Sequence, residues 1–183
     1  MYFFAVYDGH GSEKVAELLA AKLHLKILEN PDFHMNPHQA IETAFANIDR
    51  EAIESFGEDG GSVALCAIII NHKLFVINLG DSRAILIKKD RGIVQLSNEH
   101  TPEKPEESSR IEKLGGYVLK VGEKARVQGS LAVSRAVGDK YYKPFVSYCP
   151  EISEYELELF DKYLILGTDG LWNVILLKFV VFV

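Results

Sequence analysis

Residues 62–70 are apolar almost without interruption, from Ser62 and Val63 through Leu65 and Cys66 to Ile68, Ile69 and Ile70. A strand sends successive side chains to opposite faces, so such a run demands cover on both of them. Three further short, β-branched runs follow at 73–79, 83–88 and 93–96. Asn71-His72, Gly80-Asp81-Ser82 and Asp90-Arg91-Gly92 separate them. That spacing predicts a meander of antiparallel strands.

The flanking sequence supplies the cover. Val15, Ala16, Leu18, Leu19, Leu23 and Ile27 lie on helical spacing after Ser12, a potential cap, and the pattern closes near Asn30-Pro31. A second helix is predicted from the Asn36 cap and Pro37, with Ile41, Phe45, Ile48 and Ala52 on one face. Residues 57–61 read as a loop, 106–114 as a short helix closed by Gly115-Gly116, and 117–121 and 162–166 as strands. Residues 126–139 are ambiguous and 143–151 loop-rich. Helices grouped early and strands later predict an α+β fold, with two antiparallel sheets, helices outside, and one domain over 1–183.

Charge excludes some partners. With 20 Lys and Arg against 26 Asp and Glu, the net charge of −6 argues against nucleic acid or an anionic membrane surface. No signal peptide is expected, because Asp8 ends the first apolar run too early. The apolar stretch 174–183 is too short for a membrane helix, which needs ~20 residues, and is expected to be buried. Cys66 and Cys149 form no CxxC pair and are expected to be reduced, buried thiols of a cytoplasmic or nuclear protein.

Chemistry concentrates where apolar runs end in Asp-Gly. Phe3-Phe4-Ala5-Val6-Tyr7 runs into Asp8-Gly9-His10-Gly11, and Tyr163-Leu164-Ile165-Leu166-Gly167 runs into Thr168-Asp169-Gly170. A carboxylate with a nearby backbone carbonyl suits a hard divalent cation, and His10 is a titratable neighbour. Taken alone, so short a motif more often marks an ordinary turn with an exposed histidine. Two strands of one sheet system can also bring Asp8 and Asp169 to one end, where two carboxylates require a cation or a proton between them. Spacing alone leaves both possibilities open.

The motifs together resolve more than each does singly. Asp8-Gly9-His10-Gly11, Gly61-Ser62-Val63-Ala64 and Gly80-Asp81-Ser82-Arg83-Ala84 are followed by Arg126-Val127-Gln128-Gly129-Ser130-Leu131-Ala132-Val133-Ser134-Arg135-Ala136-Val137-Gly138-Asp139. Pro150-Glu151-Ile152 and Gly167-Thr168-Asp169-Gly170-Leu171-Trp172 complete the series. In this order they closely resemble the metal-dependent PP2C (PPM) protein serine/threonine phosphatases, from Phe3 to about Val174.

The resemblance implies a four-layer αββα sandwich holding a Mg2+ or Mn2+ pair, and a phosphoprotein substrate. Asp8 and Asp169 match metal-binding carboxylates, Gly9 a carbonyl ligand, and His10 the general acid that protonates the leaving serine or threonine oxygen. Water attacks phosphorus in line, without a phosphoenzyme. Ser134 and Arg135 fall in the family's flap, where structural roles are expected. Asp81 and Arg83 are expected to tie a turn together, Ser62 to pack as a small residue and Trp172 to lie in the core. His24, His34, His38 and His72 are expected to be surface or packing residues, and residues 103–107 a solvated patch.

Departures from the pattern shape the expectation too. The family carries a phosphate-binding arginine and acidic ligands ahead of the first motif, and an Asp-Asn strand end after the last. Neither is found in residues 1–183. Glu99 and Asn173 stand at positions linked to a weaker third metal, and Asn173 carries no charge. The expectation is a phosphatase domain truncated at both ends, monomeric unless exposed sheet edges pair. The alternative is a catalytically weak or inactive pseudophosphatase that serves as a binding module.

Overall fold

The computed structural model describes residues 1–90 and 92–175. The chain opens with β1 (Tyr2–His10), α1 (Lys14–Leu28) and α2 (Pro37–Phe56). Val15, Leu19, Leu23 and Ile27 recur every four residues along α1 and all are buried. Ser12 does not cap this helix; its hydroxyl donates to the Asp59 carbonyl at 2.5 Å and so ties β1 to the loop at 57–61. Asn36 does cap α2, its side chain accepting from the Gln39 amide at 3.3 Å with Pro37 in the first turn. Ile41, Phe45, Ile48 and Ala52 form its buried stripe, as their spacing predicts.

The strand-rich middle comprises β2 (Gly61–Ile70), β3 (Lys73–Leu79), β4 (Arg83–Lys88) and β5 (Ile93–Gln95). After them come α3 (Pro105–Lys113), β6 (Val118–Val121), β7 (Lys124–Val127), β8 (Val137–Gly138), β9 (Glu151–Glu156), β10 (Asp161–Gly167) and the single turn α4 (Asp169–Trp172). One sheet runs β1-β2-β3-β9, with β8 pairing to the start of β2; a second runs β10-β4-β5; β6 and β7 form a separate hairpin. The expected continuous meander is therefore broken. β3 and β4 do not pair, and Gly80-Asp81-Ser82 instead carries the chain from one sheet to the other. Gly80 adopts φ +115°, and a side chain there would fall on Val63. A turn signal alone does not distinguish a hairpin from such a step; the apolar faces being matched decide it.

Alternation along β2 and β3 builds two cores. Ala64, Cys66, Ile68, Phe75, Ile77 and Leu79 pack against α1 and α2. Leu65, Ala67, Leu74 and Val76 point the other way, against Ala84 and Leu86 of β4 and Leu164 and Leu166 of β10. The run at 62–70 is thus covered on both faces, and the fold is the expected α+β sandwich, with helices, sheet and sheet as three of the four expected αββα layers among the described residues. β9 gave little warning: among its acids only Ile152 reaches the helical core and Tyr155 the inter-sheet core.

A third cluster joins Ile111 of α3 to Val63, Val127, Val133, Ala136 and Val146. Beside it Glu107 is buried, contrary to the solvated patch expected at 103–107. Its carboxylate takes hydrogen bonds from Arg135 Nε at 3.0 Å and Arg110 Nη2 at 2.8 Å. Burial would raise its pKa, but the two arginines prevail and lower it to about 2. Two smaller expectations also fail. Cys149 is exposed, although Cys66 is buried and both are free. Val174 and Ile175 are exposed rather than buried, and the rest of that apolar stretch, 176–183, lies outside the described residues. Among the described residues no helix is long and apolar enough to cross a membrane.

The Glu107 network has a pH signature. A carboxyl whose folded pKa lies below its unfolded value stabilises above the unfolded value, and that contribution is lost as pH falls toward the folded one. The expected loss runs from about pH 4.5 down to about 2. Glu107→Gln should cost about 3 kcal/mol near pH 6, since it removes the negative charge paired with two arginines. The variant should also lose less stability than the wild type on acidification, measured by urea unfolding at pH 6 and pH 3. Equal pH dependence would contradict this assignment.

Candidate active site

Strand register places the chemistry at one rim. Asp8 pairs across from Val63 in β2, and the adjacent Ala64 pairs with Leu79, the last residue of β3. The crossover bearing Asp81 follows directly. On the second sheet Arg83, which opens β4, pairs with Gly167, which closes β10, so Asp169 emerges beside the same crossover. Asp8, Asp81 and Asp169 accordingly line one cleft of about 230 Å³ together with His10, Lys124 and Arg126. Gly9 lies within β1 opposite Ser62 and is not among the lining side chains. Ser62 is a buried packing residue, as expected, and its hydroxyl donates to the Asp8 carbonyl at 3.1 Å.

Asp81 is the residue that sequence reasoning misassigned. It makes no tie to Arg83, whose guanidinium instead binds Glu99 through Nε at 2.9 Å and lies 5.6 Å from the Trp172 ring centre. Burial, then the negative charges of Asp169 and Asp8, push the Asp81 carboxyl up to about 6. Trp172 is half-buried at the rim rather than in the core. Its indole donates to the Gly167 carbonyl at 2.8 Å, and its ring lines an adjoining hollow with Asp81, Glu99 and Asn173. The β6–β7 hairpin reaches in from the side: Lys124 Nζ stands 3.7 Å from Asp169, and Asn173 donates to the same carboxylate at 3.2 Å. Arg135 stays with Glu107, in the structural role expected of it.

His10 has a partner that the sequence did not reveal. Its Nε2 donates to Asp139, with oxygens at 2.7 and 2.9 Å. β8 lies beyond β2 from β1 at this end, with Gly61 pairing to both His10 and Gly138. Asp139 therefore reaches His10 across Gly61, where a Cβ would collide with its carboxylate. Asp139 is buried and holds φ +51°, uncommon for a residue with a side chain. The Gly138 amide beside it donates to buried Asp49 at 2.9 Å, and Lys143 pairs with Asp49 at 3.0 Å. In the sequence Asp139 is signalled only as the end of the motif at 126–139 and by the Gly-Asp pair of a turn, neither of which points to His10.

The donor set suits a hard cation. Asp8, Asp81 and Asp169 offer oxygen, and their mutual repulsion at Asp81 is what a divalent ion relieves. Among the described residues no three His, Cys, Asp or Glu side chains close on a single point to cage an ion. The three carboxylates lining the cleft are the oxygen donors that a hard divalent cation prefers.

Comparison with known proteins bears on this geometry. A family model described as "Protein phosphatase 2C" matches residues 1–181. A rice relative called probable protein phosphatase 2C 45 is 42% identical over 174 residues, covering 94% of this chain and 61% of its own. A solved Caenorhabditis elegans sex-determining protein superposes with TM-score 0.86 at 28% identity, over 95% of this chain and 44% of that one. A phosphatase from Toxoplasma gondii superposes with TM-score 0.83 at 25% identity, over 93% and 69% respectively. The chain thus spans less than two thirds of that rice relative's length.

Gly61 gives the direct test of the His10 arrangement. Gly61→Ala is expected to displace Asp139 from His10 and to cost about 1–3 kcal/mol by overpacking. Histidine side-chain NMR and urea unfolding read the two effects. A variant with an unchanged His10 signal and full stability would contradict the packing described.

Proposed function

The chain belongs to the protein phosphatase 2C family, and we propose that its cleft hydrolyses phosphoserine and phosphothreonine in proteins with the help of Mg2+ or Mn2+. The observation that carries this reading is the convergence of Asp8, Asp81 and Asp169 beside His10 at one rim. A bound divalent ion supplies Lewis acidity toward phosphoryl oxygens and water. Asp8 and Asp169, with the Gly9 carbonyl, would hold it, and Asp81 would add negative charge. Lys124 and Arg126 at the cleft draw in the phosphate dianion. His10 gives a proton to the departing serine or threonine oxygen. A cytosolic or nuclear setting, where free thiols such as Cys66 and Cys149 persist, belongs to the same reading.

One observation favours a second reading, a pseudophosphatase that binds without turnover. Lys124 stands 3.7 Å from Asp169, where its ammonium competes with a metal ion, and Asn173 beside it brings no charge. Hydrolysis of a phosphothreonine peptide by the protein in Mn2+ separates the two. Turnover abolished by EDTA and reduced about 10²-fold or more in Asp8→Asn is the expected result. Saturable peptide binding with no phosphate released would favour the second reading. Turnover indifferent to EDTA would contradict the metal-assisted mechanism.

A further inference from the structure

We infer that Asp139 is the positioning residue for His10, fixing a proton on Nε2 so that Nδ1 is the atom that delivers the proton to the leaving group. This rests on the phosphatase reading above. Both Asp139 oxygens lie within 2.9 Å of Nε2, and the carboxylate is buried. A carboxylate accepts only, so the shared hydrogen belongs to Nε2. The bond made by one imidazole nitrogen decides the task left to the other. Among the described residues Nδ1 has no hydrogen-bond partner, and the ring lines the cleft beside Asp8 and Asp169.

The surroundings show that this contact is built rather than incidental. Asp139 is held in the left-handed region at φ +51°, its amide donates to the Gly60 carbonyl at 3.0 Å, and Gly61 leaves the passage to His10 open. Behind it, Lys143 Nζ joins Asp49 to the Ala136 carbonyl, each at 3.0 Å, and Asp49 anchors the Gly138 amide. Burial outweighs attraction in that pair, raising the Asp49 pKa and lowering that of Lys143. Such a pair does little for stability yet fixes the backbone that presents Asp139.

The step balances with water alone. The bond from phosphorus to the serine or threonine oxygen breaks, and its electron pair stays on that oxygen, which takes the proton from Nδ1. Water forms the new bond to phosphorus, and the proton it releases restores the imidazolium.

Leaving groups separate this role from a structural one. An alkoxide needs the proton, whereas p-nitrophenolate departs without it. Asn tolerates φ near +51° as Asp does, so Asp139→Asn keeps the backbone while removing the carboxylate. The expected result is an about 10²-fold fall in the ratio of kcat on a phosphothreonine peptide to kcat on p-nitrophenyl phosphate. His10→Ala should show the same fall, and the double variant no more. The nitrogen-bound hydrogen of His10 Nε2, seen by 15N-edited NMR, should shift in Asp139→Asn while the unfolding midpoint holds. Loss on both substrates in equal proportion, or an unmoved NMR signal, would overturn the inference alone. A wild type that hydrolyses neither substrate would overturn the phosphatase reading and the inference with it.

Discussion

The apolar contact between the two sheets fixes everything at the rim. Leu65, Ala67, Leu74 and Val76 meet Ala84, Leu86, Leu164 and Leu166, and each large side chain buried there contributes about 1.5–3 kcal/mol. That contact sets the end of β1, the crossover at Asp81 and the end of β10 side by side. The position is electrostatically unfavourable. The displacement of the Asp81 carboxyl from 3.8 to about 6 corresponds to about 3 kcal/mol against its ionised form. Several apolar side chains outweigh that cost, of which burial of the Asp81 carboxyl is the largest part and the charges of Asp169 and Asp8 a smaller one.

The treatment of other buried or partly buried acids sharpens the contrast. Glu107 has two arginines, Asp49 has Lys143 and Asp139 has His10. These acids tie segments together: α3 to the chain before β8, α2 to the turn after it, and that turn to β1. Asp81 is half-buried with other acids for company, eased by a hydrogen bond from its own backbone amide and by the charge of Lys124. An acid so incompletely compensated in a cleft is a candidate site for an external cation, whereas the paired acids join segments of the fold. Lys124 belongs to the hairpin rather than to either sheet, so its charge at Asp169 is a feature of the cleft's edge.

Much of this was legible in the sequence because it depends on local periodicity. The buried stripes of α1 and α2 and the double-faced burial of β2 follow from side-chain spacing alone. Asp8, His10 and Asp169 stood out because they punctuate apolar strands, but only the resemblance of the whole motif series gave them expected roles. Three features were not legible, each for a non-local reason. The step from β3 to β4 depends on which sheet face finds a partner. Asp81 acquires its environment from residues distant in sequence, and Arg83 beside it offered a plausible but incorrect partner. Asp139 reaches His10 only because β2 presents Gly61 between them, a relation visible once strand register is known.

We propose that sheet packing brings Asp8, Asp81 and Asp169 to one cleft in which a divalent cation binds. Paramagnetic broadening on titration with Mn2+, followed residue by residue in 1H–15N NMR spectra, tests it directly. The expected result is early, saturable loss of the signals of residues 8–10, 80–82 and 168–170 together, with α1 and the β9 edge unaffected. Broadening that begins elsewhere, or that reaches one of these three segments without the others, would contradict it.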